Sequence, residues 1–351
     1  MSMKILYAVQ ATGNGHISRA MELMPFLQQY GEVDVFLSGS NSNLQPDLPV
    51  KFRSNGLSLF YGNTGGLDYW RMWKELDLSR IWKEARELPV EKYDLVINDF
   101  DSITSMACKL KKIKSIGFGH QASFQSALTP RNNKKDLAGE IVLKHYATSS
   151  AYIGLHFASY DDFIYPPVIK EEVLKADPTD QGHVTVYLSH YSDEVVIHAL
   201  QKIKDVRFEV FSKKVKSVTT LGNVTLFPIS NTGFTQSMIH SKAVITGAGF
   251  ETPAEALYLG KQFLCLPIRG QYEQLCNAAA LKDFGVTIID KISNDFTQQV
   301  YQWLQASTAK QLSLTHSTYE IVQQAIELGR SLQPAKKEES LLNEEDLLAL
   351  F

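Results

Sequence analysis

Short apolar runs alternate with amphipathic stretches of helical period along most of the chain. Residues 4–10 (KILYAVQ) are almost wholly apolar and end before a glycine turn, as expected of a strand covered on both faces. The stretch 18–29 then places Ala20, Leu23, Met24 and Leu27 at helical spacing. Residues 33–38 (VDVFLS), 94–98 (DLVIN) and 114–118 (KSIGF) repeat the strand signal. A helical pattern fills 103–110, and a long amphipathic one fills 68–87 with Trp70, Trp73, Leu76, Ile81 and Trp82. This alternation predicts a parallel α/β sheet. It breaks at 165–168 (YPPV), where two prolines forbid a continuing helix and stiffen the chain. A second series follows at 183–188, 207–211, 224–227, 243–246, 263–266 and 286–289, with helical patterns between. The expected architecture is two doubly wound α/β units facing each other across a cleft, over 1–165 and 166–330, with 331–351 as a tail. A last helix at 315–329 would cross back to the first unit.

Length and composition fit that picture. The chain has 351 residues, 44% hydrophobic and 21% charged, which suits two domains of about 150 residues. A disordered chain, a collagen and a disulfide-stapled mini-protein are excluded. Lys and Arg number 35 against 38 Asp and Glu, a formal charge of -3, and the two lysines and five acids from Lys336 onward account for all of it. A neutral body with an acidic tail argues against nucleic acid as a partner. Cys108, Cys265 and Cys276 form no CxxC pair, so neither a zinc site nor a disulfide framework is expected, and a reducing cytoplasm fits best. The N-terminal apolar run is too short for a signal peptide or for a span of about 20 residues.

Candidate chemistry gathers where strands end. Gly13-Asn14-Gly15-His16 separates the first strand from the first helix, at the edge where parallel sheets bind ligands. The third glycine of a dinucleotide fingerprint is Ser18 and no acid ends the second strand, which disfavours a nicotinamide dehydrogenase. A tight turn accounts equally well for the glycines; His16 beside them is a candidate base. Asp99 and Asp101 follow another strand. Either could orient an imidazole, and Asp101 also suits the N-cap of the next helix. His120 ends a further strand at the same edge. Gly247 and Gly249 precede a helix predicted to start near Thr252-Pro253, an arrangement that can receive a diphosphate on backbone amides. Glu255, three residues after Thr252, fits a capping box or a grip on ribose hydroxyls. Gln271, Glu273, Gln274 and Asn277 offer sugar-type hydrogen-bonding groups, although such a polar run can also be a solvated loop.

The segment 246–285 resembles the donor signature of GT-B-fold glycosyltransferases. A Gly-rich turn (Gly247, Gly249), Glu255, Leu266-Pro267, Glu273-Gln274 and Asn277-Ala278 occur in that order, as in UDP-sugar glycosyltransferases and the MurG GlcNAc-transferase family. The resemblance implies that Glu255 binds the ribose and that Glu273 and Gln274 bind the donor sugar. It also implies that amides from Gly247 to Thr252 meet the diphosphate, Ile229 reads the base and Ser189 contacts phosphate. His16 would be the base, Asp99 or Asp101 its partner, and Gly13, Asn14, Gly15 and His120 would line the acceptor side. Glu273 stands where Asp is commoner, and the His-Cys-Gly-Trp run of the plant-type branch is absent.

The expected activity is metal-independent, inverting transfer of a hexosyl or N-acetylhexosaminyl group from a nucleoside-diphosphate donor, UDP-linked by resemblance, to a glycan, lipid or small-molecule hydroxyl. No cofactor is expected beyond the nucleotide sugar. A UDP-GlcNAc-type epimerase or a non-catalytic sugar-nucleotide or glycan-binding protein are the alternatives. Lys109, Lys111, Lys112 and Lys114 would suit weak peripheral contact with anionic lipid at an inner membrane surface, or a solvated helix end. The three tryptophans would line an acceptor groove or pack in a core.

Overall fold

A computed structural model of the chain describes residues 2–11, 14–39, 47–56, 77–134, 136–306 and 309–333. Gly13, Trp70, Trp73 and the acidic tail lie outside them. The first sheet contains β1 (Met3–Gln10), β2 (Gly31–Ser38), β3 (Val50–Ser54), β4 (Leu95–Asp99), β5 (Ile116–Gly119), β6 (Ala151–Leu155) and β7 (Ile164–Tyr165). Their order is β3-β2-β1-β4-β5-β6-β7, with every neighbouring pair parallel. The second contains β8 (His183–Tyr187), β9 (Arg207–Ser212), β10 (Thr219–Leu221), β11 (Val224–Pro228), β12 (Ala243–Thr246), β13 (Gln262–Cys265) and β14 (Thr287–Ile288). Its order is β10-β11-β9-β8-β12-β13-β14, with β10–β11 its antiparallel pair.

Successive side chains of β1 leave on opposite faces, as strand geometry requires. Ile5, Tyr7 and Val9 join Ala20, Leu23 and Leu27 of the helix Asn14–Leu27, while Leu6 and Ala8 join Ile81, Ala85, Ile103 and Ala107. Helices on both faces leave no polar side for these strands, which is why their sequences read as continuous apolar runs. The helix Thr318–Leu332 starts with a Ser317–Glu320 capping box and crosses back to the first sheet. Ile321, Val322, Ala325 and Ile326 are buried there, and a Cβ on Gly329 would collide with Leu95 and press on Ile116. Between the sheets the chain runs through Pro166-Pro167, and buried Val168 and Ile169 anchor it.

The order of the parallel strands reverses once in each sheet, between β1 and β4 in the first and between β8 and β12 in the second. The carboxyl ends at these switch points form the natural crevice of an open α/β sheet. Among the described residues, no helix is long and apolar enough to cross a membrane.

Candidate active site

At the first switch point the helix begins at Asn14, earlier than the predicted Ser18, so His16 lies on its first turn. His16 Nδ1 sits 2.8 Å from Asp99 Oδ1, the last residue of β4. The turn that follows is fixed from both sides. Asn98 Nδ2 donates to Asp101 O at 2.9 Å, and Asp101 N donates back to Asn98 Oδ1 at 2.7 Å. Phe100 between them takes φ 60°, the left-handed region that a bulky residue avoids, and its ring packs 5.0 Å from Tyr146. This clamped turn separates the two acids. Asp99 is aimed at His16, whereas Asp101 caps the helix Ser102–Lys111 by accepting from Thr104 N at 2.6 Å. Of the two expected partners for His16, only Asp99 bonds it.

Arg19, one turn after His16, completes the cluster. Its Nε and Nη2 donate to Asp99 at 3.1 and 2.8 Å, and Tyr7 Oη donates to the same carboxylate at 3.4 Å. Burial pushes the Asp99 pKa up, but Arg19 and then His16 outweigh it and hold the carboxyl at about 2. Arg19 Nη2 also lies 2.9 Å from His16 Nδ1. That ring nitrogen can donate to Asp99 or accept from Arg19, not both. Gly119 ends β5 at φ +115°, and a Cβ there would sit 2.9 Å from Asp99 Oδ1 and 3.1 Å from Arg19 Nη2. A side chain at that position would displace the cluster.

The second domain meets this cluster through the helix Glu251–Tyr258. Arg19 Nη1 donates to the Glu251 carboxylate, which also packs on Gly15, where a Cβ would require the carboxylate to swing aside. Glu255 does not form a capping box with Thr252. The helix starts at Glu251, and its N-cap, Phe250, makes no side-chain bond. The Glu255 carboxylate is buried instead and lies 3.2 Å from Lys170 Nζ. Burial raises its pKa and Lys170 draws it back.

In the polar run after β13, Gln274 and Asn277 hold loops and domains together. Gln274 Oε1 accepts from Ala248 N at 3.2 Å and Ile268 N at 2.9 Å, linking the loops after β12 and β13. Asn277 is fully buried and donates to Ala248 O at 3.0 Å, with its Oδ1 2.8 Å from His120 Nε2. His120 stacks on Phe250 with centroids 4.0 Å apart, and burial lowers its pKa despite nearby Glu273. Glu273 accepts from Gln121 Nε2 at 3.2 Å. Gly247 faces Gln274, while Gly249 has open space around it. Thr252 and Gln271 are partly exposed at their helix starts; Ser189 is exposed after β8, and partly buried Ile229 donates its amide to Ser212 O at 2.9 Å. Among the described residues, no three His, Cys, Asp or Glu side chains gather as a metal site. Trp82 is exposed beneath Arg86 and forms no part of this site.

Arg19, Glu251, Lys170 and Tyr7 are absent from the sequence expectations. Arg19 carried a signal, since a charged residue at helical spacing from His16 falls on the apolar stripe of Ala20 and Leu23. Glu251 and Lys170 act through partners far away in the chain, which no local spacing displays.

The comparisons agree with this architecture. Spinosyn forosaminyltransferase SpnP superposes with TM-score 0.59 at 16% identity, covering 94% of this chain and 100% of its own. Arabidopsis thaliana UGT89C1 complexed with UDP-L-rhamnose gives 0.59 at 13%, covering 94% and 99%. Acinetobacter baumannii MurG gives 0.52 at 13%, covering 93% and 99%. No curated protein matches in sequence. The two domains therefore form the GT-B glycosyltransferase fold, and the match of residues 3–306 to the family glycosyl transferase family 1 places the chain in that family.

Proposed function

We propose that the protein transfers a sugar from a UDP-linked donor to an acceptor hydroxyl, with His16 as general base and inversion at the anomeric carbon. The observation that carries this reading is the His16–Asp99 bond at one switch point, facing a helix start at the other. With Nδ1–H donating to Asp99, the Nε2 lone pair is free to take the acceptor proton. The opposite tautomer would set two lone pairs against each other at 2.8 Å. The imidazolium formed during attack lies beside an ionised, buried carboxylate, and backbone amides of the Gly247 to Thr252 stretch, other than the Ala248 amide held by Gln274, receive the departing diphosphate.

In this reading Gln274 and Asn277 hold the donor loop in shape, while Glu273 and Gln271 face the sugar. Glu255 takes the ribose hydroxyls as Lys170 yields its place. Fixed dipoles and Arg19 supply the charge stabilisation, so EDTA leaves turnover unchanged. Weak contact with anionic lipid would fall on Lys109, Lys112 and Lys114. They line a cavity of about 320 Å³ with Ser149 and Ser150, before β5 and β6 and away from the crevice.

The test is sugar release from UDP-GlcNAc and UDP-glucose against a panel of hydroxyl acceptors. His16→Ala should lower kcat about 10²-fold or more while UDP affinity stays. Turnover equal to wild type would refute the base assignment. A rearranged sugar formed without acceptor would identify an epimerase instead.

A further inference from the structure

Arg19 is 3% exposed, yet one of its arms leaves its own domain. Nε and Nη2 serve Asp99, and Nη1 reaches the carboxylate of Glu251. Both acids favour the charged guanidinium strongly enough to outweigh its burial. Glu251 is the first residue of its helix, so its negative charge suits that end of the helix dipole, but its carboxylate turns away toward the first domain. It comes to rest against Gly15, where the missing side chain leaves room for it. A cation, a bare glycine backbone and a helix start are the three elements with which a protein holds a phosphate. Here the first two meet a carboxylate of the chain itself, carried on the first residue of a helix. Glu251 remains about a quarter exposed, so rotation about its side-chain bonds can carry it into solvent.

We propose that the Glu251 carboxylate is a resident stand-in for the donor diphosphate, and that Arg19 is a donor-binding residue released when the diphosphate displaces it. The inference rests on the reading of the protein as a nucleoside-diphosphate-sugar transferase and adds to it an autoinhibitory contact. The diphosphate and the carboxylate cannot share the position, because like charges at contact distance repel strongly in a partly buried site. Donor binding therefore exchanges one interdomain ion pair for another. Arg19 keeps its grip on Asp99 throughout, so the charge that develops on the leaving group is linked by one guanidinium to the carboxylate that orients His16.

Isothermal titration of the full chain with UDP, and with uridine as a phosphate-free probe, tests the exchange. Glu251→Gln removes the competing charge and keeps the shape, and should tighten UDP about tenfold while leaving uridine unchanged. Arg19→Lys keeps the charge, loses the fork that spans Asp99 and the diphosphate, and should weaken UDP about tenfold with uridine again unchanged. Circular dichroism melts establish that both variants are folded. UDP affinity unaltered or weakened in Glu251→Gln would overturn the stand-in while leaving the donor reading intact. No UDP binding by wild type and variant alike would overturn both.

Discussion

Replacing Asp99 by Asn keeps the size of the side chain and removes its charge. Asp99 is completely buried and accepts from Arg19 and Tyr7 as well as from His16. Its carboxyl is held at about 2, against an ordinary value of 3.8. A depression of that size corresponds to ~2 kcal/mol of stability in the charged form. The variant also leaves Arg19 buried beside one acid instead of two. Removing one partner of a buried pair costs about 3–5 kcal/mol, and the surviving Glu251 contact sets the expectation near the lower end, about 3 kcal/mol. For domains of this size the melting temperature should fall by about 5–10 °C. Turnover should fall about 10²-fold or more, because Asn can donate to Nδ1 and so favour the tautomer that puts the proton on Nε2. UDP affinity should change little.

The control is the neighbouring acid. Asp101→Asn removes a helix-cap charge and should cost about 1 kcal/mol or less with turnover kept near wild type. Differential scanning calorimetry and initial rates on the same preparations give both readouts. The wild-type acid limb supplies a further check on sign. Because the folded pKa is depressed, the Asp99 contribution is fully present above pH 4 and is lost as pH falls through 2; Asp99→Asn should flatten stability over that window. A folded Asp99→Asn protein that turns over within threefold of wild type would refute the role given to the carboxylate.

Gly119→Ala adds one methyl where Asp99 and Arg19 already fill the space and where φ is +115°. It should destabilise by about 2 kcal/mol or more and depress turnover together with it, read by calorimetry and rates as above. Lys170→Met leaves the buried Glu255 carboxylate without its cation, at a cost of about 3–5 kcal/mol. Lys170→Met with Glu255→Met should recover most of that loss in a denaturant double-mutant cycle. Gly329→Val forces a branched side chain onto Leu95 and Ile116. It should lower stability by about 1–3 kcal/mol, and proteolysis should then cut ahead of the helix Thr318–Leu332 sooner than in wild type.

The strands visible in the sequence are those covered on both faces, such as β1, β4 and β12. Those that were missed have physical reasons. β3 is an edge strand, and its VKFRS sequence alternates between half-buried and exposed positions. β6 has a glycine at its fourth position, Gly154, which packs on the Ser123 backbone. The early start of the first helix was hidden because Gly15 reads locally as a turn residue. The space beside it is taken by Glu251 of the other domain. The choice between Asp99 and Asp101 was hidden for a different reason, in the backbone between them. Asp99 ends β4 and Asp101 comes two residues later, and the left-handed Phe100 between them turns the two side chains apart.

The polar residues that read in the sequence as free donor ligands have partners within the chain itself. A buried donor or acceptor left without a partner costs about 1–3 kcal/mol, which favours partners in neighbouring loops and across the domains. This chain meets the demand by lending partners across its own parts: Gln274 to two loop amides, Asn277 to Ala248 and His120, Glu255 to Lys170, Glu251 to Arg19. Three of those partners, His120, Lys170 and Arg19, belong to the first domain or to the connection. If the donor takes over the bonds of Glu251 and Glu255, it must also release contacts that hold the domains together. Binding and domain movement then become one equilibrium. A donor too short to reach both acids would leave one of these pairs in place and gain only part of the affinity.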